Sequence, residues 1–99
     1  AGLLGVELDT ICRDSIENDG YGAYFNHGLG HGVGLDIHEQ PVASPRSESV
    51  LETNMIITVE PGVYLPGKIG LRIEDSVIVT DDGCEVLTHS PKELIEIEV

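Results

Sequence analysis

Only one stretch of the chain has the periodicity of an amphipathic helix. Leu4, Leu8, Ile11, Cys12 and Ile16 recur at helical spacing and form a single apolar stripe, while Glu7, Asp14 and Glu17 lie off it. Asn18-Asp19-Gly20 supplies the turn chemistry that ends a helix. Much of the remaining chain is β-prone. Met55 to Glu60 is a β-branched run stopped by Pro61-Gly62, and Leu71 to Thr80 alternates strictly enough to predict one strand. That alternation puts Leu71, Ile73, Asp75, Val77 and Val79 on one face and Arg72, Glu74, Ser76, Ile78 and Thr80 on the other. Asp81-Asp82-Gly83 predicts a hairpin turn into Cys84-Glu85-Val86-Leu87. Gln40 to Arg46, with prolines at 41 and 45, reads as a loop, and the tail from His89 begins with a turn and ends in a short alternating segment. One helix with four or five strands makes an α+β fold. A single helix cannot cover such a sheet, so the fold is expected to be open on its N-terminal side.

Length and charge narrow the function. Ninety-nine residues suit one domain with a limited core. The net charge of −13 sets 18 acids against five bases, Arg13, Arg46, Lys68, Arg72 and Lys92. A surface this negative repels phosphate backbones, which excludes nucleic acid as a partner. No apolar run approaches the ~18 residues a membrane span needs. The first residues, AGLLGVELDT, lack a signal-peptide pattern, so the expected location is the cytoplasm. Cys12 and Cys84 lie far apart with no zinc spacing and are expected to be small buried hydrophobes in a reducing compartment. Most of the acids are read as solvated surface; a few could gather at a cation.

The chemistry concentrates in HGLGHGVGLDIHE, residues 27–39, which holds three of the four histidines. His31 lies between Gly30 and Gly32, which let the backbone approach a neighbour closely. Glu60 ends one predicted strand and Glu74 sits in the middle of the next, where a carboxylate is costly unless paired or bound to a cation. Arg72 shares the face of Glu74, so a plain Arg72–Glu74 ion pair is the competing reading. A lone glycine-flanked histidine is more often a loop residue, and His89 keeps that reading. His27, His31 and His38 stand out only jointly, together with the two glutamates.

GHGVGLDIHEQP (30–41), ITVEPGVY (57–64) and GLRIEDSVIVTDDG (70–83) closely resemble the metallopeptidases of the pita-bread fold, among them methionine aminopeptidase, aminopeptidase P and prolidase. The gaps agree too, with 7 positions from His31 to His38, 29 from His31 to Glu60 and 14 from Glu60 to Glu74. The resemblance implies that residues 1–99 are the C-terminal portion of a metallopeptidase catalytic domain. The fold would be half of a pita bread, a mostly antiparallel curved sheet with one main helix. It also implies two divalent metal ions, with Mn²⁺ ahead of Co²⁺ or Zn²⁺ for a carboxylate-rich set with one imidazole. His31 and Glu60 would ligate one metal and Glu74 would bridge both. His38 would steady the oxyanion, and Glu60 would handle the proton of the attacking water. Two cations acidify a bridging water and clamp the tetrahedral intermediate. His27, the EPGVY motif and Arg72 two positions before Glu74 are similar to the proline-specific branch. They imply a peptide substrate with proline in second position, catalytic roles for His27, His38 and Glu60, and substrate contacts from His27, His38 and Arg72.

The family pattern has five ligands, two of them aspartates upstream of this helix. Glu7, Asp9, Asp14, Glu17 and Asp19 all lie on the helix or at its end, and none matches those aspartates. The chain alone is therefore expected to bind one metal weakly, to be inactive, and to self-associate through uncovered faces, the parent enzyme being a homodimer. Two other readings keep the fold, a non-catalytic binding module and a metal-independent hydrolase of the creatinase type. The presence of His31, Glu60 and Glu74 together argues against both.

Overall fold

The computed structural model describes all 99 residues. Helix α1 (Gly5–Asn18) is the chain's one α-helix. Glu7 reaches back to accept the Leu4 N–H at 2.7 Å, which satisfies a donor at the helix start. Gly20, at φ +84°, lets the chain turn away at the other end. A short 3₁₀ turn (Gly22–Tyr24) leads into β1 (Gly30–Gly32), β2 (Glu39–Ala43), β3 (Ile56–Val59), β4 (Gly62–Leu65), β5 (Ile69–Arg72), β6 (Asp75–Val79) and β7 (Cys84–Val86). The order β2-β1-β3-β6-β7 forms one antiparallel sheet, and β4 and β5 form a separate hairpin.

The single strand expected over 71–80 is divided. Leu71 pairs with Val63 in the hairpin, whereas Asp75 pairs with Val59 in the main sheet. Between those partners lies Pro61, which has no N–H for a ladder, so β3 cannot run on into β4 and the opposite strand breaks with it. Ile73 N–H spans the break to the Pro61 carbonyl at 3.2 Å. Alternation survives inside β6, where Val77 and Val79 are buried, but Leu71 on the hairpin is 62% exposed.

The loop expected at 40–46 is also corrected, because its first half is β2. As the sheet's edge strand it accommodates Pro41, and the pairing with β1 is irregular between His31 and Gly32. The strands thus number seven. The hairpin turn at 81–83 holds, joining β6 to β7. The alternating tail forms no strand, and Leu94, Ile95, Ile97 and Val99 are exposed.

Two small clusters make the core. Leu51, Ile57, Val77 and Val79 form one, and Phe25, Leu29 and Ala43 the other, with Leu8 and Val59 touching both. Leu8, Cys12 and Ile16 are the helix's inward stripe, while Ile11 is 63% exposed, so the stripe is narrower than its sequence suggests. Sixteen of 99 residues are buried, a small core even for this length. A cavity of about 410 Å³ opens over the first cluster where the helix leaves the sheet uncovered. Cys12 is half-buried and Cys84 is exposed, which corrects the expectation for Cys84. No helix is long and apolar enough to cross a membrane.

Candidate active site

The histidine segment is fixed from below by the helix. Asp9, 1% exposed, receives Arg13 in a fork, Nε to Oδ2 at 2.8 Å and Nη2 to Oδ1 at 3.0 Å. The same guanidinium donates to the carbonyls of Phe25 and His27 at 2.7 Å each and stacks 4.1 Å over the Phe25 ring. Asp9 Oδ1 also accepts the Leu29 N–H at 3.0 Å. A bidentate pair of this kind adds geometric specificity as well as energy, and here it sets where the segment enters the sheet. Beyond it, β1 is squeezed between two strands. A Cβ at Gly30 would drive into the Thr58 carbonyl, and one at Gly32 into the Gln40 carbonyl. That is the close approach expected of these glycines.

His31 comes to rest against Glu60. The His31 N–H donates to Thr58 Oγ1 at 3.1 Å, and that hydroxyl donates to Glu60 Oε1 at 2.9 Å. His31 Nδ1 lies 2.9 Å from the Gly32 carbonyl. A carbonyl only accepts, so Nδ1 carries the hydrogen and Nε2 turns towards Glu60 Oε1, 3.1 Å away. Two lone-pair atoms facing each other at this distance require a proton or a metal cation between them. With its other nitrogen fixed by a backbone carbonyl, His31 has the arrangement of a metal-ligating histidine. The pair therefore fits two positions of a divalent ion's coordination shell.

A second chain of hydrogen bonds closes on the same carboxylate. Arg72 Nη1 lies 3.2 Å from Glu60 Oε2, and Arg72 Nε donates to Tyr64 Oη at 2.9 Å. His27 Nδ1 donates to the Gly28 carbonyl at 2.7 Å, which leaves Nε2 to accept from the Tyr64 hydroxyl at 2.8 Å. The Tyr64 hydrogen bond, and after it the electrostatic pull of Tyr64, Glu60 and Glu74, outweigh desolvation and raise the Arg72 pKa above its ordinary value. The competing Arg72–Glu74 pair is not formed. The break at 73–74 puts the two residues on either side of a change of sheet, and Arg72 turns to Glu60 instead.

His38 meets His31 edge to face, ring centroids 4.3 Å apart. His31, His38, Thr58, Glu60, Arg72 and Glu74 line one open cavity of about 400 Å³. His27 reaches it only through Tyr64 and Arg72, and His89 lies elsewhere. Glu74 stands apart from the His31–Glu60 pair, so no three histidine, cysteine or carboxylate side chains close into a cage for an ion. Sequence reasoning did not single out Asp9, Arg13, Thr58 or Tyr64. The i, i+4 spacing of Asp9 and Arg13 was the available signal for the first two, and Thr58, two before Glu60 on a strand, shares its face.

The sequence model of Metallopeptidase family M24 matches residues 1–81. The chain belongs to this family. An Xaa-Pro dipeptidase from Pyrococcus horikoshii is 51% identical over 94 residues, covering 95% of this chain and 27% of the relative. The structure of an Xaa-Pro dipeptidase from Bacillus anthracis superposes with a TM-score of 0.93 at 59% identity, over 96% of this chain and 27% of that one. An X-prolyl aminopeptidase from Caenorhabditis elegans, described as a cytosolic enzyme with a di-nuclear active site, gives 0.67 at 39% identity, over 78% of this chain and 13% of that one. This M24 chain thus spans about 27% of the length of the dipeptidases it matches. Its helix and antiparallel sheet are part of their α+β pita-bread fold.

Proposed function

We propose that the chain contributes His31, Glu60 and Glu74 to a two-metal centre that hydrolyses peptide bonds preceding proline, as its dipeptidase and aminopeptidase relatives are named for doing. The observation that carries this reading is the apposition of His31 Nε2 and Glu60 Oε1 at 3.1 Å, with Nδ1 already engaged. Divalent ions held by His31, Glu60 and Glu74, Mn²⁺ first by donor type, would supply the acidity of a bound water and positive charge opposite the scissile carbonyl. The chain's own residues do the rest. Glu60, oriented by Thr58 and Arg72, takes the proton of the attacking water. His38, exposed at the mouth of the cavity, donates to the developing oxyanion. His27, through Tyr64, and Arg72 hold the wall against which the substrate lies.

The other ligands lie outside these 99 residues in this reading, so the isolated chain binds one ion weakly and does not turn over. The same reading has the whole protein acting as a cytoplasmic homodimer on short peptides. The exposed Ile69, Leu71 and Ile73 support self-association of the chain itself. The His31–Glu60 apposition weighs against a metal-free binding module, which has no use for it. An Mn²⁺ titration of the chain, combined with an Xaa-Pro dipeptide assay, tests the proposal. Binding lost in His31→Ala supports it; turnover by the 99-residue chain refutes the division of ligands.

A further inference from the structure

Glu74 lies in the two-residue break between β5 and β6, exposed on the cavity that holds His31 and Glu60. A backbone outside the ladder cannot by itself hold a side chain to the precision a metal ligand needs. One end of the break is tied to the Glu60 side, through Ile73 N–H to the Pro61 carbonyl at 3.2 Å. The other end enters the ladder at Asp75, opposite Val59, and there the side chain is held by something the site does not otherwise use. The carboxylate of Asp75, next to Glu74, accepts a hydrogen bond from Thr88 Oγ1 and lies 2.9 Å from Lys92 Nζ on the same oxygen. Lys92 Nζ also donates to the Ser90 carbonyl at 2.8 Å, which closes the turn that carries it. Leu87 N–H donates to the Ser76 carbonyl at 2.8 Å, and Ser76 N–H to Thr88 Oγ1 at 3.3 Å. After β7 the chain therefore folds back across the start of β6 and fastens there. Residues 90–95 of this segment face Leu71 to Glu74 across a cavity of about 510 Å³.

We propose that Thr88 and Lys92, acting through Asp75, are positioning residues that fix the 73–74 break and so hold Glu74 in place as a metal ligand. The proposal rests on the reading of Glu74 as a ligand. Because the Pro61 anchor is independent of the latch, opening the latch loosens Glu74 and leaves His31 and Glu60 as they are. A merely structural role for the segment would disturb all three together.

The test uses the 99-residue chain, labelled with ¹⁵N, as wild type, Thr88→Val, Thr88→Ser, Lys92→Met, Lys92→Arg and Glu74→Gln. Backbone relaxation at residue 74 is read without metal, and paramagnetic broadening at residues 31, 60 and 74 is read on adding Mn²⁺. In Thr88→Val and Lys92→Met, Glu74 becomes more mobile and its broadening falls more than threefold, while His31 and Glu60 keep theirs. Thr88→Ser and Lys92→Arg restore the wild-type pattern. Unchanged mobility and broadening at Glu74 in both disrupting variants overturn the latch and leave the metal reading standing. Equal loss at all three residues also overturns it, as general destabilisation. If Mn²⁺ leaves wild-type Glu74 unbroadened and Glu74→Gln binds as wild type does, the ligand reading falls and the positioning role falls with it.

Discussion

His31 Nε2 faces Glu60 Oε1 across 3.1 Å, and each side chain is held there by partners other than the one it faces. The imidazole is turned by the Gly32 carbonyl and the carboxylate by Thr58 and Arg72, so the apposition is imposed from outside the pair. Its support can be dissected one contact at a time.

Asp9→Ala leaves the Arg13 guanidinium without its carboxylate and the Leu29 N–H without its acceptor. Breaking a buried pair from one side costs about 3–5 kcal/mol, and the partial exposure of Arg13 lowers that to about 2–3 kcal/mol here. Urea denaturation of the variant checks the figure. With so small a core, the substitution is expected to leave much of the chain unfolded at 37 °C.

Gly30→Ala places a methyl against the Thr58 carbonyl, which is held in the ladder and cannot yield. Overpacking of this kind costs about 1–3 kcal/mol. The expected signature is a lowered melting temperature together with shifted His31 and Thr58 resonances, since β1 has to move away from β3.

Tyr64→Phe removes the hydroxyl that donates to His27 and accepts from Arg72. The stability loss should be modest, about 1 kcal/mol by the usual worth of a hydrogen bond. The larger effect is local. The ¹⁵N signal of His27 Nε2 should move more than that of His31, which Tyr64 reaches only through Arg72 and Glu60, and equal movement of both would contradict this order.

Cys12 is the titrating group with the clearest sign. Burial, and after it the charge of Asp9, push its thiol pKa above the ordinary 9.0, with Arg13 opposing. A raised folded pKa gives stability that is present below the ordinary value and lost as pH rises through the folded one. Cys12→Ala should therefore flatten the alkaline limb of the stability profile. Iodoacetamide should modify the exposed Cys84 well before Cys12, as mass spectrometry of the partly reacted chain would record.

The members of the candidate site were legible because motif spacing survives in sequence whatever the intervening geometry. His31, His38, Glu60 and Glu74 do share a cavity. Their pairing was less legible. Strict alternation over 71–80 puts Arg72 and Glu74 on one face, and only the proline in the partner strand shows why a single strand cannot form there. Prolines misled in the other direction at 40–46, where an irregular edge strand absorbs one of them. Asp9 and Arg13 escaped notice because charge on a helix is normally solvated, and nothing local says that the next segment will fold over it. The tail's hold on Asp75 is a contact between residues 13 and 17 positions apart in irregular backbone, which periodicity does not report.

The His31–Glu60 pair is tested at its metal by calorimetric titration of the chain with Mn²⁺, run side by side on wild type, His31→Ala and Glu60→Gln. If His31 and Glu60 share an ion, the wild type binds one Mn²⁺ weakly and each variant loses more than about tenfold, as removal of a ligand should cost at least what removal of its supporting partner does. Equal Mn²⁺ binding by all three would contradict the shared ion.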